Sequence, residues 1–337
     1  MRRLLPLVIL PVAAGCGSTE PSPAPAGREY TVVDLGTFGG VYATATAINP
    51  AGVIAGISRR ANEMTERMLL LPPGETAQDL GPMPGFDFTA PAAINSRRQI
   101  AGNASNDAAD MTAFIWEPAG GFTSLGSLGG NLSIAEDINE RGEIVGRSWD
   151  RNGEERVFLW RPGQGMMDLG TLGGLMSINS AYGINDAGQV VGMSDGRAFI
   201  WDQANGMREL GIGGSWSAAY DINAAGVVVG EFTGTDGVTR GFRWTSSGGM
   251  EDLGAIEGGF YSSAQKISAN GHILIAVDGA APSRTFWVLH GGELHRLGPL
   301  VAGGWIEAYD LNDCGHAVGH GLAAGDERRA AMWTTGC

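Results

Sequence analysis

The chain has 337 residues, with 22 Lys plus Arg against 36 Asp plus Glu and a net charge of −14 at neutral pH. Its single lysine, Lys266, and its scattered arginines do not supply the clustered positive charge needed to grip a phosphate backbone, so nucleic acid is excluded as a partner. The 55 glycines would signal disorder only if they lacked a period, and here they have one.

Residues 1–15 read as an export signal. Arg2 and Arg3 precede an apolar run from Leu4 to Ala14, which is too short to cross roughly 30 Å of hydrocarbon as a helix. Ala13-Ala14-Gly15-Cys16 resembles a bacterial lipobox, which implies lipidation of Cys16, and Gly17 in place of Asp favours sorting to the outer membrane, facing the periplasm or the cell surface, with an extracellular location as the alternative. Residues 16–28 continue as a Pro/Ser-rich tether that holds a domain away from a surface. Contact with the membrane is therefore expected through the lipid alone. Without the signal the charge is 20 basic against 36 acidic residues, or −16.

Residues 29–337 repeat four short signals about every 44 residues. A Leu-Gly signal runs from Asp34-Leu35-Gly36 through Asp168-Leu169-Gly170 to Arg296-Leu297-Gly298. An Ile-Asn signal follows at 48/49, 94/95, 138/139, 184/185 and 222/223, weakens to Ile267-Ser268 and returns as Leu311-Asn312. Three residues after most of these Asn residues stands a Gly, which predicts a tight turn with positive φ at its last position; Arg98 breaks the rule and predicts a strained hairpin. Next come an apolar run ending in Gly, such as Val190-Val191-Gly192, and a Phe-x-Trp such as Phe199/Trp201. In the sixth copy Ile273-Leu274-Ile275 lacks the Gly. Each signal reads as a short strand bounded by turn residues, so each repeat predicts four antiparallel strands, one propeller blade.

The first Leu-Gly strand, Tyr30 to Leu35, has no Phe-x-Trp before it, and the strand near Trp333 has no Leu-Gly after it. The fold expected is thus all-β, a seven-bladed β-propeller whose N-terminal strand completes the last blade and pairs edges that would otherwise invite aggregation. The Asp-Leu-Gly-Thr-Leu-Gly-Gly…Ile-Asn-x-x-Gly-x-Val-Val-Gly…Ala-Phe-Ile-Trp repeat, clearest from Asp168 to Leu210, resembles the HAF family of extracellular bacterial repeat proteins. Arg197 replaces the family's eponymous His. The resemblance covers residues 30–337 and implies location and fold, and no activity.

The Trp-to-Leu connection between strands keeps one length, whereas the Gly-to-Phe connections vary, so binding groups are expected on the variable face. The shortest, Gly192 to Phe199, predicts a low rim and the main concavity there. Tyr42, Phe88, Trp216, Tyr261 and Trp305 follow glycines on that face and are the candidate ligand-binding residues, either as a stacking platform for a glycan or apolar polymer or as wedges packed between blades. Asp137, Asp221 and Asp310 precede Ile-Asn signals and read as solvated strand residues, with a metal or acid/base cluster as the alternative. His272, His316 and His320 offer two approaching imidazoles without a third ligand, so neither metal nor cofactor is expected. No nucleophile elbow, phosphate loop or Cys-x-x-Cys pair appears. The function expected is non-catalytic binding or scaffolding, with a glycan, polymer or envelope protein as partner; the alternative is a carbohydrate-active hydrolase. Cys314 and Cys337 form an even pair once Cys16 is lipidated, and a disulfide between them is expected in an oxidising compartment.

Overall fold

A computed structural model of the protein describes residues 29–61, 65–107, 110–174, 178–279, 284–325 and 327–336. The signal segment, the tether with Cys16, and Cys337 lie outside the described residues. Among the described residues there are 28 strands and no helix. They form antiparallel meanders of four, as the short turn-bounded runs require; five are separate four-stranded sheets, and two are joined into one eight-stranded sheet by a parallel pair at Leu132 and Met111.

Strand β1 is Thr31–Gly36. The first meander is β2 (Tyr42–Ile48), β3 (Ile54–Arg59), β4 (Arg67–Leu71) and β5 (Gln78–Gly81). The order then repeats, each meander beginning on an inner strand that carries the Ile-Asn signal: β6 (Phe88–Ile94), β10 (Gly129–Ile138), β14 (Asn179–Ile184), β18 (Trp216–Ile222), β22 (Tyr261–Ile267) and β26 (Ile306–Leu311). The last meander supplies only three strands in sequence, ending at β28 (Arg328–Thr334), and β1 pairs antiparallel with β28 as its fourth, Val32 facing Trp333 and Asp34 facing Ala331. Inner strands neighbour one another in chain order, and β26 lies against β2.

The turn signal does what its residues predict. Gly52, Gly142, Gly188, Gly226, Gly271 and Gly315 all have φ between +74° and +80°, and Gly52 N–H donates to Asn49 O at 2.9 Å. Arg98 takes the same conformation at φ +61° without glycine's freedom. The Gly of the apolar run has a second reason: a Cβ on Gly192 would lie 2.0 Å from Ser180 O and 2.9 Å from the Phe199 ring. In the sixth repeat, where Ile275 replaces that Gly, the pairing slips by one residue, so that Phe286 faces Ala276 and Ile275 faces Trp287.

The core lies between meanders. Phe114, Phe158, Phe199, Phe242, Phe286 and Trp333 are all fully buried, each against apolar residues of its own meander and an adjoining one. Full burial of each such ring contributes about 2–3 kcal/mol. A second tie runs along the inner strands. Asn49 Nδ2 donates to Asn95 O, Asn95 to Asn139 O, Asn139 to Asn185 O, Asn185 to Asn223 O and Asn223 to Ser268 O, at 3.0–3.2 Å. These Asn side chains are buried, so each of these bonds satisfies a carbonyl that water cannot reach.

Candidate ligand-binding site

Each inner strand carries a register shift just before its Ile-Asn signal, for example between Ala219 and Asp221 in β18 and between Ala308 and Asp310 in β26. A bulge turns two consecutive residues toward one side, which simple alternation forbids. Two tiers of side chains result on a common axis.

The lower tier holds Asp137, Asp221, Lys266 and Asp310. Each carboxylate bridges two strands. Asp137 Oδ1 accepts from Ile138 N and its Oδ2 from Ile184 N; Asp221 accepts from Ile222 and Ile267; Asp310 accepts from Leu311 and Ile48, all at 2.8 Å. These are not solvated strand residues: they are half-buried ties between sheets around the half-buried Lys266 ammonium. Burial raises Asp137 to about 7 and Asp310 to about 6, the Lys266 ammonium opposing the shift in both. Burial acts to lower Lys266, but Asp221, Asp310 and Asp137 outweigh it and hold the ammonium above its ordinary value. Among the described residues no group of three His, Cys, Asp or Glu side chains is arranged to hold a metal.

The upper tier opens on the variable face as a cavity of about 460 Å³ lined from every inner strand, with Tyr182, Tyr220, Tyr261 and Tyr309 as its aromatic walls and Glu136, Gln265 and Lys266 among its polar groups. Tyr182 and Tyr220 meet edge to face, 5.3 Å between centroids. Glu231, buried on the neighbouring strand, accepts the Tyr261 hydroxyl at 2.5 Å and lies close enough to Tyr220 to act on it. Burial, then the bond to Glu231, pushes Tyr261 up to about 12, and burial and Glu231 raise Tyr220 further. Burial also raises Glu136, against the pull of Arg147 and Lys266. The low rim expected over residues 192–199 is thus not where this concavity lies; it is on the axis. A second cavity, about 920 Å³, opens between the first and last meanders, lined by Leu35, Ile54, Leu69 and Met332.

Of the five aromatic candidates, only Tyr261 lines the axial cavity. Tyr42 lies against the Arg59 and Arg328 guanidiniums, each 4.9 Å from its ring centroid, and donates to Glu66. Phe88 and Trp216 are half-buried at the starts of their strands. Trp305 is exposed, its ring edge-on to His320 at 5.1 Å. The histidines have separate surroundings: His272 stacks on His290 at 3.8 Å, and His316 Nε2 lies 3.2 Å from Thr335 O. His320 is buried with neither ring nitrogen hydrogen-bonded. Cys314 is disulfide-bonded. Tyr182, Tyr220 and Tyr309 were not sequence candidates, although all three stand two residues before an Ile-Asn or Leu-Asn signal, a shared repeat position that marks them.

No family model matches the chain, and no curated protein does. Solved structures do. The β-propeller domain of the trilobed protease from Pyrococcus furiosus superimposes with a TM-score of 0.59 at 11% identity, over 87% of this chain and 95% of that one. Acylaminoacyl peptidase from Pyrococcus horikoshii gives 0.59 at 12%, over 90% of this chain and 53% of that one. Virginiamycin B lyase from Staphylococcus aureus gives 0.55 at 11%, over 91% and 99%. The likeness is one of fold: this chain has a β-propeller scaffold.

Proposed function

We propose that the protein is a non-catalytic binding or scaffold lipoprotein of HAF-type repeats, exported and anchored through Cys16. Its domain is a closed ring of seven blades, with β1 completing the last one, and its ligand site is the tyrosine-lined cavity on the axis. The observation that carries the reading is the convergence of every inner strand on that one cavity. Binding groups brought together by a rigid scaffold in a concave, aromatic-lined site are what ligand recognition needs.

The test is a screen of the purified full chain against glycans, amines and cell-envelope extracts, repeated with Tyr182→Leu and Tyr220→Leu. A ligand lost in both variants and recovered unaltered after incubation supports the reading. Chemical conversion of the bound compound would replace it with the hydrolase alternative, and binding indifferent to both substitutions would move the site elsewhere. Incorporation of radiolabelled palmitate that Cys16→Ala abolishes is the expected result for the anchor; incorporation unchanged in Cys16→Ala would contradict it.

A further inference from the structure

Two features of the axial cavity narrow its ligand. Tyr261 spends its hydroxyl on the buried Glu231 carboxylate, which also lies beside Tyr220, so what Tyr261 offers a guest is ring surface, made electron-rich by that acceptor. Beneath and beside the rings stand five carboxyl groups, Glu136, Glu231, Asp137, Asp221 and Asp310, against the Lys266 ammonium and Arg147; burial raises Asp137 to about 7 and Asp310 to about 6, so the excess of negative charge is fullest above that range. Aromatic faces over an excess of negative charge are the chemistry that holds an organic cation.

The carboxylates also disfavour one kind of cation. Both oxygens of Asp137, Asp221 and Asp310 already accept backbone N–H groups. A primary ammonium, which must replace three hydrogen bonds to water, would share those oxygens with the backbone and compete with Lys266 for the same field. A cation with no N–H to satisfy loses little on entry and keeps the attraction of the field and the rings.

We propose that the cavity takes a quaternary ammonium group, held between the faces of Tyr182, Tyr220 and Tyr261 above the axial carboxylates. This rests on the reading that the axial cavity is the ligand site. The volume of about 460 Å³ leaves room for a trimethylammonium head and a polar tail leaving through the variable face.

The experiment is calorimetric titration of the full chain with choline and with 3,3-dimethylbutan-1-ol, its neutral carbon isostere, at low and moderate salt. Choline is expected to bind at least about 10-fold more tightly than the alcohol and to weaken with salt. Tyr182→Leu should weaken choline about 5- to 30-fold, the range of one cation–π contact, and Tyr182→Phe, which keeps the ring face, should restore it. Melting curves of each variant show whether it is folded. Equal binding of choline and the alcohol, or choline binding that Tyr182→Leu leaves unchanged, would overturn the proposal. So would the absence of binding by both choline and tetramethylammonium. If a neutral ligand bound and Tyr182→Leu removed it, the cavity would stand as the site and the cation would fall.

Discussion

Asp310 Oδ2 accepts the backbone N–H of Ile48 at 2.8 Å, joining the last repeat to the first across 262 positions of sequence. Asp137 and Asp221 make the same bond to Ile184 and Ile267 in the repeats that follow theirs. The bond from Asp310 therefore repeats, at the seam between the chain's two ends, a joint used inside the array. Asp310→Ala leaves the Ile48 N–H without its acceptor and should cost about 1–3 kcal/mol, as should Asp137→Ala. Urea unfolding measures both. If Asp137→Ala destabilises and Asp310→Ala does not, the seam is not a joint of the same kind.

Arg98 occupies at φ +61° a turn position held by glycine in the six other repeats. A non-glycine residue there costs about 1 kcal/mol, part of which glycine returns as greater freedom of the unfolded chain. Arg98→Gly should therefore raise stability by about 0.5–1 kcal/mol, while Gly226→Ala, at φ +74°, should lower it by a similar amount. Loss of stability in Arg98→Gly, by thermal or urea unfolding, would contradict this.

His320 is buried beside Trp305 and Tyr309 with no partner on either ring nitrogen, and burial first, then Arg328, pushes it from 6.5 down to about 4. Between those values the unfolded chain binds a proton that the folded chain refuses. Its contribution to stability is therefore full above about 6.5 and falls by about 3 kcal/mol as the pH drops to 4. Asp137 and Asp310, raised to about 7 and 6, act in the opposite sense, because the folded chain then holds protons that the unfolded one releases, and their contribution is lost as pH rises through that range. Comparing His320→Phe with the parent isolates the imidazole: the difference should move in the variant's favour as pH falls from 6.5 to 4. A difference independent of pH would refute it.

The proposed partner of Cys314 is Cys337, closing a loop of 23 residues and adding about 3 kcal/mol in the chain-entropy model. Mass spectrometry of an unreduced digest of the exported protein should find the peptides of Cys314 and Cys337 linked. A link from Cys314 to Cys16 would contradict the pairing and the lipidation together.

What could be read from the sequence was what repeats. The Ile-Asn and Gly signals mark the turns because each turn needs the same backbone, and the unmatched first and last strands pair as Val32 with Trp333 because one edge fits the other. The site was less legible. Strand alternation puts Tyr220 and Asp221 on opposite faces, and only the bulge between Ala219 and Asp221 brings both toward the axis. For the same reason the aspartates looked solvated. Tyr42 follows its glycines as Tyr261 does, yet its ring is taken up by Arg59 and Arg328, which loop lengths cannot reveal. Loop lengths describe the rim, whereas the concavity is made by the inner strands.

The central claim, that the tyrosine-lined axial cavity is a site for a quaternary ammonium, is tested most directly by diffraction from crystals of the protein soaked in arsenocholine, whose arsenic gives an anomalous signal. A peak within the cavity bounded by Tyr182, Tyr220 and Tyr261, absent from crystals of Tyr182→Leu, is the result predicted. Peaks only at lattice contacts or in the cavity beside Leu35 and Met332, with the axial cavity empty, would contradict it.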